Sequence, residues 1–196
     1  MKELIRCPWV KLSNPTYVRY HDEEWGVPVH DEHKHFEFLI LEGAQAGLSW
    51  ETVLMKREAY RKHFVNFDPL KVAKFSESKI EKILKDPGII RNRLKVKAAV
   101  SNAQAFLKVQ QEFGSFDRYI WSFVGGKPII NRPRTKKDFR ATSPESDALS
   151  LDLKRRGFKF VGSTVIYAHL QACGMIDDHT VDCFRAKASK KISKTK

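Results

Sequence analysis

Residues 36–50 read Phe-Glu-Phe-Leu-Ile-Leu-Glu-Gly-Ala-Gln-Ala-Gly-Leu-Ser-Trp. Phe36, Leu39, Ile40 and Gly43 recur at the helical spacing i, i+3, i+4, i+7, and Phe38 and Leu41 make the other side of the same stretch apolar. A helix that is apolar nearly all round is one that a domain buries. Outward from it, helical signals dominate the chain. A second helix is predicted from about Glu51 to Phe64, and Asp68-Pro69 reads as an N-cap with proline at the first helical position. Ser78 and Glu81 have capping-box spacing before Ile83 and Leu84. Val96, Ala99, Val100, Ala103, Phe106 and Leu107 form a stripe that ends before Gly114. Phe116 to Val124 reads as a short aromatic helix, Ser143-Pro144 opens a segment stopped by Gly157, and a last apolar helix runs from about Thr164 to Ala172 before Gly174. Residues 127–134 form a polar, proline-bearing loop, and strand signals are nearly absent. The fold class is all-α.

A chain of 196 residues that is 42% apolar suits one globular domain or two small lobes sharing a core. No apolar run approaches the ~20 residues of a membrane helix. The opening Met1–Lys11 lacks the apolar stretch of a secretory signal. The expectation is a soluble cytoplasmic protein with no membrane partner. A formal charge of +13 favours polyanionic partners, of which duplex DNA is the densest. Part of that charge sits in residues 185–196, which have no apolar periodicity and read as a disordered basic extension. Removing them still leaves a basic domain. Three cysteines, Cys7, Cys173 and Cys183, make no closed disulfide set.

Three constellations carry chemistry. His179 and Cys183 stand four apart, which on a helix would put imidazole and thiolate on one face. Cys7 and His21 supply the same pair near the other end, and two cysteines with two histidines make a closed tetrahedral set for structural Zn²⁺. Buried cysteines beside incidental histidines would read the same way. Cys173 falls in an apolar helix as a core residue, and His30, His33, His35, His63 and His169 have no comparable pairing. Residues 81–92 join two predicted helices through Pro87-Gly88, where glycine permits positive φ and backbone N–H groups would face a phosphate oxygen, with Arg91, Arg93, Lys95 and Lys97 around them. That is how a helix-hairpin-helix grips DNA without reading sequence, although a plain helical hairpin with solvated cations has the same local pattern. Finally, Glu42 interrupts the apolar stretch, where an ionised carboxylate is costly unless partnered. Trp50, Trp9, Tyr17, Tyr20 and Trp25 offer stacking faces for an extruded base. The plainer alternative is a core carboxylate paired with a lysine, beside aromatics that only pack.

Together these blocks resemble a known family. Tyr-His-Asp-Glu-Glu-Trp-Gly at 20–26, Leu-Glu-Gly-Ala-Gln-Ala-Gly-Leu-Ser-Trp at 41–50, Gly-Ile-Ile-Arg-Asn-Arg at 88–93, Ser-Asp-Ala-Leu at 146–149 and Arg-Gly-Phe-Lys-Phe-Val-Gly at 156–162 resemble 3-methyladenine DNA glycosylase I, a branch of the helix-hairpin-helix glycosylases. The likeness runs from Cys7 to about Phe184. It implies one glycosylase domain over 1–184, built of two interleaved helical lobes and acting as a monomer on double-stranded DNA that carries alkylated bases. It further implies one structural zinc on Cys7, His21, His179 and Cys183. Glu42 would accept hydrogen bonds from the methylated adenine, Trp50 would stack on it, and Tyr17, Tyr20, Trp9 and Trp25 would line the pocket. Gly47-Leu48 would fill the gap left by the extruded nucleotide, while Gly88, Ile89, Ile90 and Arg91 would hold the DNA backbone. Two departures stand out: His169 where Phe or Met is expected, and Asp178 where Asn is commoner. No aspartate occupies 105–111, where many relatives in the wider superfamily carry a catalytic one, and Asp117 lies too far along.

The implied chemistry needs no strong base. A 3-methylated adenine nucleoside is cationic, so the glycosidic bond is already weak and the base leaves neutral. Trp50 would favour the cation through its π face, Glu42 through charge, and free 3-methyladenine is the product. No motif positions a lysine for Schiff-base chemistry, so no strand cleavage is expected. The rivals are a non-catalytic, zinc-stapled DNA-binding module and a glycosylase for other lesions.

Overall fold

The structure, a computed structural model, describes residues 4–186; the basic extension lies outside the described residues from 187 onward. Its helices are α1 (Pro15–Glu23), α2 (Glu32–Gln45), α3 (Trp50–His63), α4 (Pro69–Val72), α5 (Glu77–Leu84), α6 (Arg93–Phe113), α7 (Phe116–Ser122), α8 (Pro144–Arg155) and α9 (Ser163–Ala172). From α1 to α8 each helix opens on an Asn, Asp or Ser side chain that accepts a first-turn backbone N–H. Such caps answer for donors that no intrahelical carbonyl can reach. The cap of α5 is Ser76, which accepts from Lys79 N, and not Ser78. The helix begins two residues earlier than the sequence suggests, so Ser78 lies inside its first turn.

α2 is the centre of the molecule, buried without interruption from His35 to Ala44. α3, α6, α7 and α9 pack around it, and α8 backs α9. One apolar core runs from Cys7 to Ala186. Among the described residues no helix is long and apolar enough to cross a membrane. The expected loop at 127–134 holds a two-residue strand instead: β1 (Ile129–Ile130) pairs in parallel with β2 (Ile176–Asp177). Ile129 N donates to Met175 O and Asn131 N to Asp177 O, which ties this segment to the stretch that carries His179.

A buried ion network that the sequence reading did not register joins α1, α2 and α3. Arg57, 7% exposed, donates through Nε to Glu37 and through both terminal nitrogens to Glu24, each at 2.8 Å. The guanidinium holds the Glu24 carboxyl down at about 2 against the opposing effect of burial. Planar, bidentate pairing of this kind is available to arginine and not to lysine.

Candidate active site

The buried α2 delivers Glu42 to the floor of a pocket of about 170 Å³. All six residues expected around a base line it: Trp9, Tyr17, Tyr20, Trp25, Glu42 and Trp50. Gln45, Phe139, Ala168 and Gln171 complete the wall. The sequence reading missed these four because they come from the end of α2, an irregular loop and α9, and no local pattern links those segments. The rings brace one another: Trp9 meets Trp25 edge-on at 4.8 Å and Tyr17 at 5.6 Å, and Tyr20 lies 5.2 Å from Trp50. Ser49 caps α3 so that Trp50 is its first residue, directly after the loop that leaves α2.

Glu42 is 3% exposed, and among the described residues its carboxylate takes part in no hydrogen bond or ion pair. The lysine-paired core carboxylate is therefore not what the fold builds. Burial alone pushes the Glu42 carboxyl up to about 8. Trp50 Nε1, also buried, has no acceptor among the described residues. Buried polar atoms are normally satisfied, so two unpartnered ones in a single aromatic pocket point to a ligand that completes them. Among the described residues no lysine lines the pocket. Asp117 is engaged elsewhere, by His30 Nδ1 and His35 Nε2.

Behind Trp9 and Trp25 the chain ends meet. Cys7, His21 and Cys183 bring ligand atoms within 4.8 Å of one another. His179 joins them by ring contact, 5.3 Å from His21 and 4.7 Å from Trp25. His179 and Cys183 do not share a helix, the condition under which their spacing would put them on one face; His179 follows β2 in an irregular segment, and Cys183 sits in a turn beyond it. The donor set fits a tetrahedral Zn²⁺ on three counts. His179 Nε2 is buried with no partner among the described residues. Both imidazoles receive a carboxylate on Nδ1 at 2.8 Å, His21 from Asp22 and His179 from Asp177, the arrangement that orients metal-binding histidines. Arg6 and Arg132 in turn hold those two carboxylates. Cys183 Sγ is 3.5 Å from His21 Nε2, and its hydrogen bond with Cys7 draws the Cys183 thiol down while it pushes that of Cys7 up, so that one proton is shared between two sulfurs placed as a metal's thiolate pair would be. Gly26 makes room for this corner: its φ is +76°, and a Cβ there would stand 2.6 Å from His179 Cε1.

Asp178, the other departure, is buried and accepts from Asn131, Tyr167 and Gln171, each at 2.7 Å. A carboxylate can take all three donors without presenting an N–H of its own. Through Gln171 it connects the pocket wall to the segment that carries His179.

At the α5–α6 turn the structure changes the expected picture. Gly88 does not adopt positive φ. Its N–H donates to Asp86 Oδ1 at 2.6 Å, and an added Cβ would stand 2.8 Å from Ala59 Cβ. Glycine is needed there for close approach to α3. Ile89 is buried and Ile90 half-buried, so the turn offers DNA its backbone and not these side chains. Of the four expected cations, Arg93 pairs with Glu81 and Lys97 with Glu77, while Lys95 turns inward to the carbonyls of Ala44 and Ala46. Only Arg91 of the four is exposed and, among the described residues, without an ion-pair partner. By holding the end of α2, Lys95 also fixes the root of the next loop. There Gly47 has φ +79° and Leu48 is 43% exposed.

With this geometry in view, comparison with known proteins is decisive. The methyladenine glycosylase family profile matches residues 9–186. The chain belongs to the methyladenine glycosylase family. DNA-3-methyladenine glycosylase 1 of Escherichia coli K12 is 49% identical over 178 residues, spanning 91% of this chain and 95% of that protein. A crystal structure of a 3-methyladenine DNA glycosylase I superposes with a TM-score of 0.89 at 49% identity, covering 92% of this chain and 98% of the other. A structure of the Staphylococcus aureus enzyme, described as the basis of 3-methyladenine recognition, gives 0.85 at 40% identity over 87% and 91% of the two chains. The methyladenine glycosylase match takes in the whole pocket, the loop at Gly47-Leu48, the α5–α6 turn and three of the four clip residues, leaving Cys7 just outside it.

Proposed function

We infer that this chain is a monofunctional DNA glycosylase that hydrolyses the N-glycosidic bond of 3-methyladenine in alkylated double-stranded DNA and so begins base excision repair. The observation that carries this is the unpartnered Glu42 carboxyl buried in an aromatic pocket, in a member of a family whose relatives are named for this activity. The extruded base, a cation, stands between Trp50 and the neighbouring rings, whose π faces attract positive charge by roughly 0.5–2 kcal/mol. Glu42 accepts its hydrogen bonds and balances its charge. Water then takes the sugar as the base leaves neutral, and the absence of a lining lysine among the described residues supports hydrolysis without a Schiff base.

Exposed Leu48, on a loop rooted by Lys95, fills the space the nucleotide vacates. The α5–α6 turn with Gly88, Ile89, Ile90 and Arg91 serves as the helix-hairpin-helix that grips the phosphate backbone. Cys7, His21, His179 and Cys183 hold one zinc that closes the chain on itself and has no open position for catalysis. The single core supports reading 1–184 as one domain of two interleaved lobes, which works as a cytoplasmic monomer. A non-catalytic zinc-stapled module would share the turn and the clip but would have no use for a buried, unpaired glutamate.

Incubation with methylated duplex DNA, followed by chromatography of the released bases, tests the reading. Free 3-methyladenine and an intact strand bearing an abasic site are expected. Release of 7-methylguanine or oxidised bases instead would reassign the lesion, and a borohydride-trapped covalent adduct would exclude the monofunctional mechanism. For the turn, Arg91→Ala is expected to weaken binding to abasic duplex and to reduce the salt dependence by about one phosphate contact. Arg93→Ala, already engaged by Glu81, should change it less; equal effects would mean the grip lies elsewhere.

A further inference from the structure

α9 presents Ala168 and Gln171 to the base pocket, while its His169 and the C-cap residue Cys173 point into the core. His169 and Cys173, four apart, face the same way, with His169 Nε2 3.6 Å from Cys173 Sγ. His35, near the start of α2, comes from the opposite side, its ring 6.2 Å from that of His169. None of the three is exposed at all. Their ligand atoms all lie within 4.8 Å of one another. The sequence reading treated Cys173 as a core residue and gave the two histidines no role.

Two features separate this group from ordinary packing. Among the described residues His35 Nδ1 is buried without a hydrogen-bond partner, and so is His169 Nδ1, on the ring whose Nε2 faces Cys173, in a part of the core where an apolar residue would leave nothing unsatisfied. The other nitrogen of His35 bonds Asp117 Oδ1 at 3.0 Å, and His30 approaches the same carboxylate from the surface side at 3.1 Å. A carboxylate on one ring nitrogen fixes the imidazole so that the opposite nitrogen aims inward, which is the usual outer support of a metal ligand.

We propose that His35, His169 and Cys173 form a second metal site, distinct from the clip at the chain ends, for a thiophilic d¹⁰ cation, Zn²⁺ or Cu⁺. Two imidazoles and one thiolate are the soft donor set that such ions prefer. Metal–ligand bonds of about 2.0–2.3 Å would draw the donors to about 3.5 Å from each other, a small movement from where they stand. On binding, the Cys173 thiol gives its proton to solvent and both imidazoles stay neutral. Thiolate alone then balances Cu⁺, and thiolate with the Asp117 carboxylate balances Zn²⁺.

The test counts equivalents. Reduced, metal-stripped full-length protein is titrated anaerobically with Zn²⁺ and, separately, with Cu⁺, each against a chromophoric chelator. Wild type is expected to take one equivalent more of at least one ion than His169→Phe does, and Cys173→Ala should lose that same equivalent while Cys183→Ser keeps it. Should His169→Phe fail to fold, Cys173→Ala decides alone. The Zn²⁺ and Cu⁺ arms identify the ion by which of them loses the equivalent. Identical stoichiometry in wild type and Cys173→Ala for both ions overturns the site, whatever the clip binds.

Discussion

Glu42→Gln is expected to weaken binding of 3-methyladenine by about 10- to 150-fold, the equivalent of one charge-assisted hydrogen bond of roughly 1.5–3 kcal/mol. The same substitution is expected to raise stability at neutral pH. Burial pushes the Glu42 carboxyl up to about 8 in the folded protein, against 4.5 as the ordinary value. Between those values the unfolded chain releases a proton that the folded one keeps, so stability falls as pH rises across this window. At pH 7 the deficit amounts to up to about 3 kcal/mol at 1.36 kcal/mol per unit. Glutamine removes it. A rise in melting temperature of about 5–10 °C is expected at pH 7 for a chain of this size, shrinking to nothing below pH 4.5. Calorimetric titration and thermal melts at pH 5, 7 and 8 read all of this. A large fall in melting temperature with unchanged base affinity would return Glu42 to the core and leave the pocket in need of another acceptor.

The second large effect belongs to the clip. Removing zinc with a chelator, or substituting Cys183→Ser, is expected to lower stability by about 4 kcal/mol, the linkage expected for free metal near a thousand times its dissociation constant. That corresponds to a fall of about 8–16 °C in melting temperature. Metal analysis should show one ion fewer in Cys183→Ser than in wild type. Because His179 packs edge-on against Trp25, and Trp9 against both Trp25 and His21, the pocket wall loosens with the clip. Base affinity should therefore drop as well, by less than in Glu42→Gln. A metal-free protein that melts where the loaded one does would show that the four side chains are only neighbours.

Much of this molecule was legible as a string of residues. The stretch 36–44, apolar but for Glu37 and Glu42, demanded a central helix, because no surface position tolerates apolar side chains nearly all round. Asp68-Pro69 and Ser143-Pro144 marked where two helices start, and Gly114, Gly157 and Gly174 where others stop, whereas Ser78 put the start of α5 two residues late. Glu42 announced itself as a charge in the wrong company, and the resemblance to 3-methyladenine DNA glycosylase I named the residues that would surround it.

What the sequence left open depends on distances between segments far apart in the chain. Phe139 and Gln171 enter the pocket from a loop and from α9, a placement that no periodicity encodes. His179 and Cys183 come together through a strand pair and a turn and share no helix. The cations around Pro87-Gly88 looked equivalent in sequence, and tertiary partners then sorted them: Glu81 and Glu77 neutralise two, the end of α2 absorbs Lys95, and among the described residues Arg91 alone of the four is left exposed without an ion-pair partner. Gly88 is required by its approach to Ala59 and not by its own dihedral angle. The His35–His169–Cys173 group stayed invisible because its members are 134 and 4 positions apart. Local propensity is a property of neighbours along the chain, whereas burial, ion pairing and ligand geometry are set by neighbours in space.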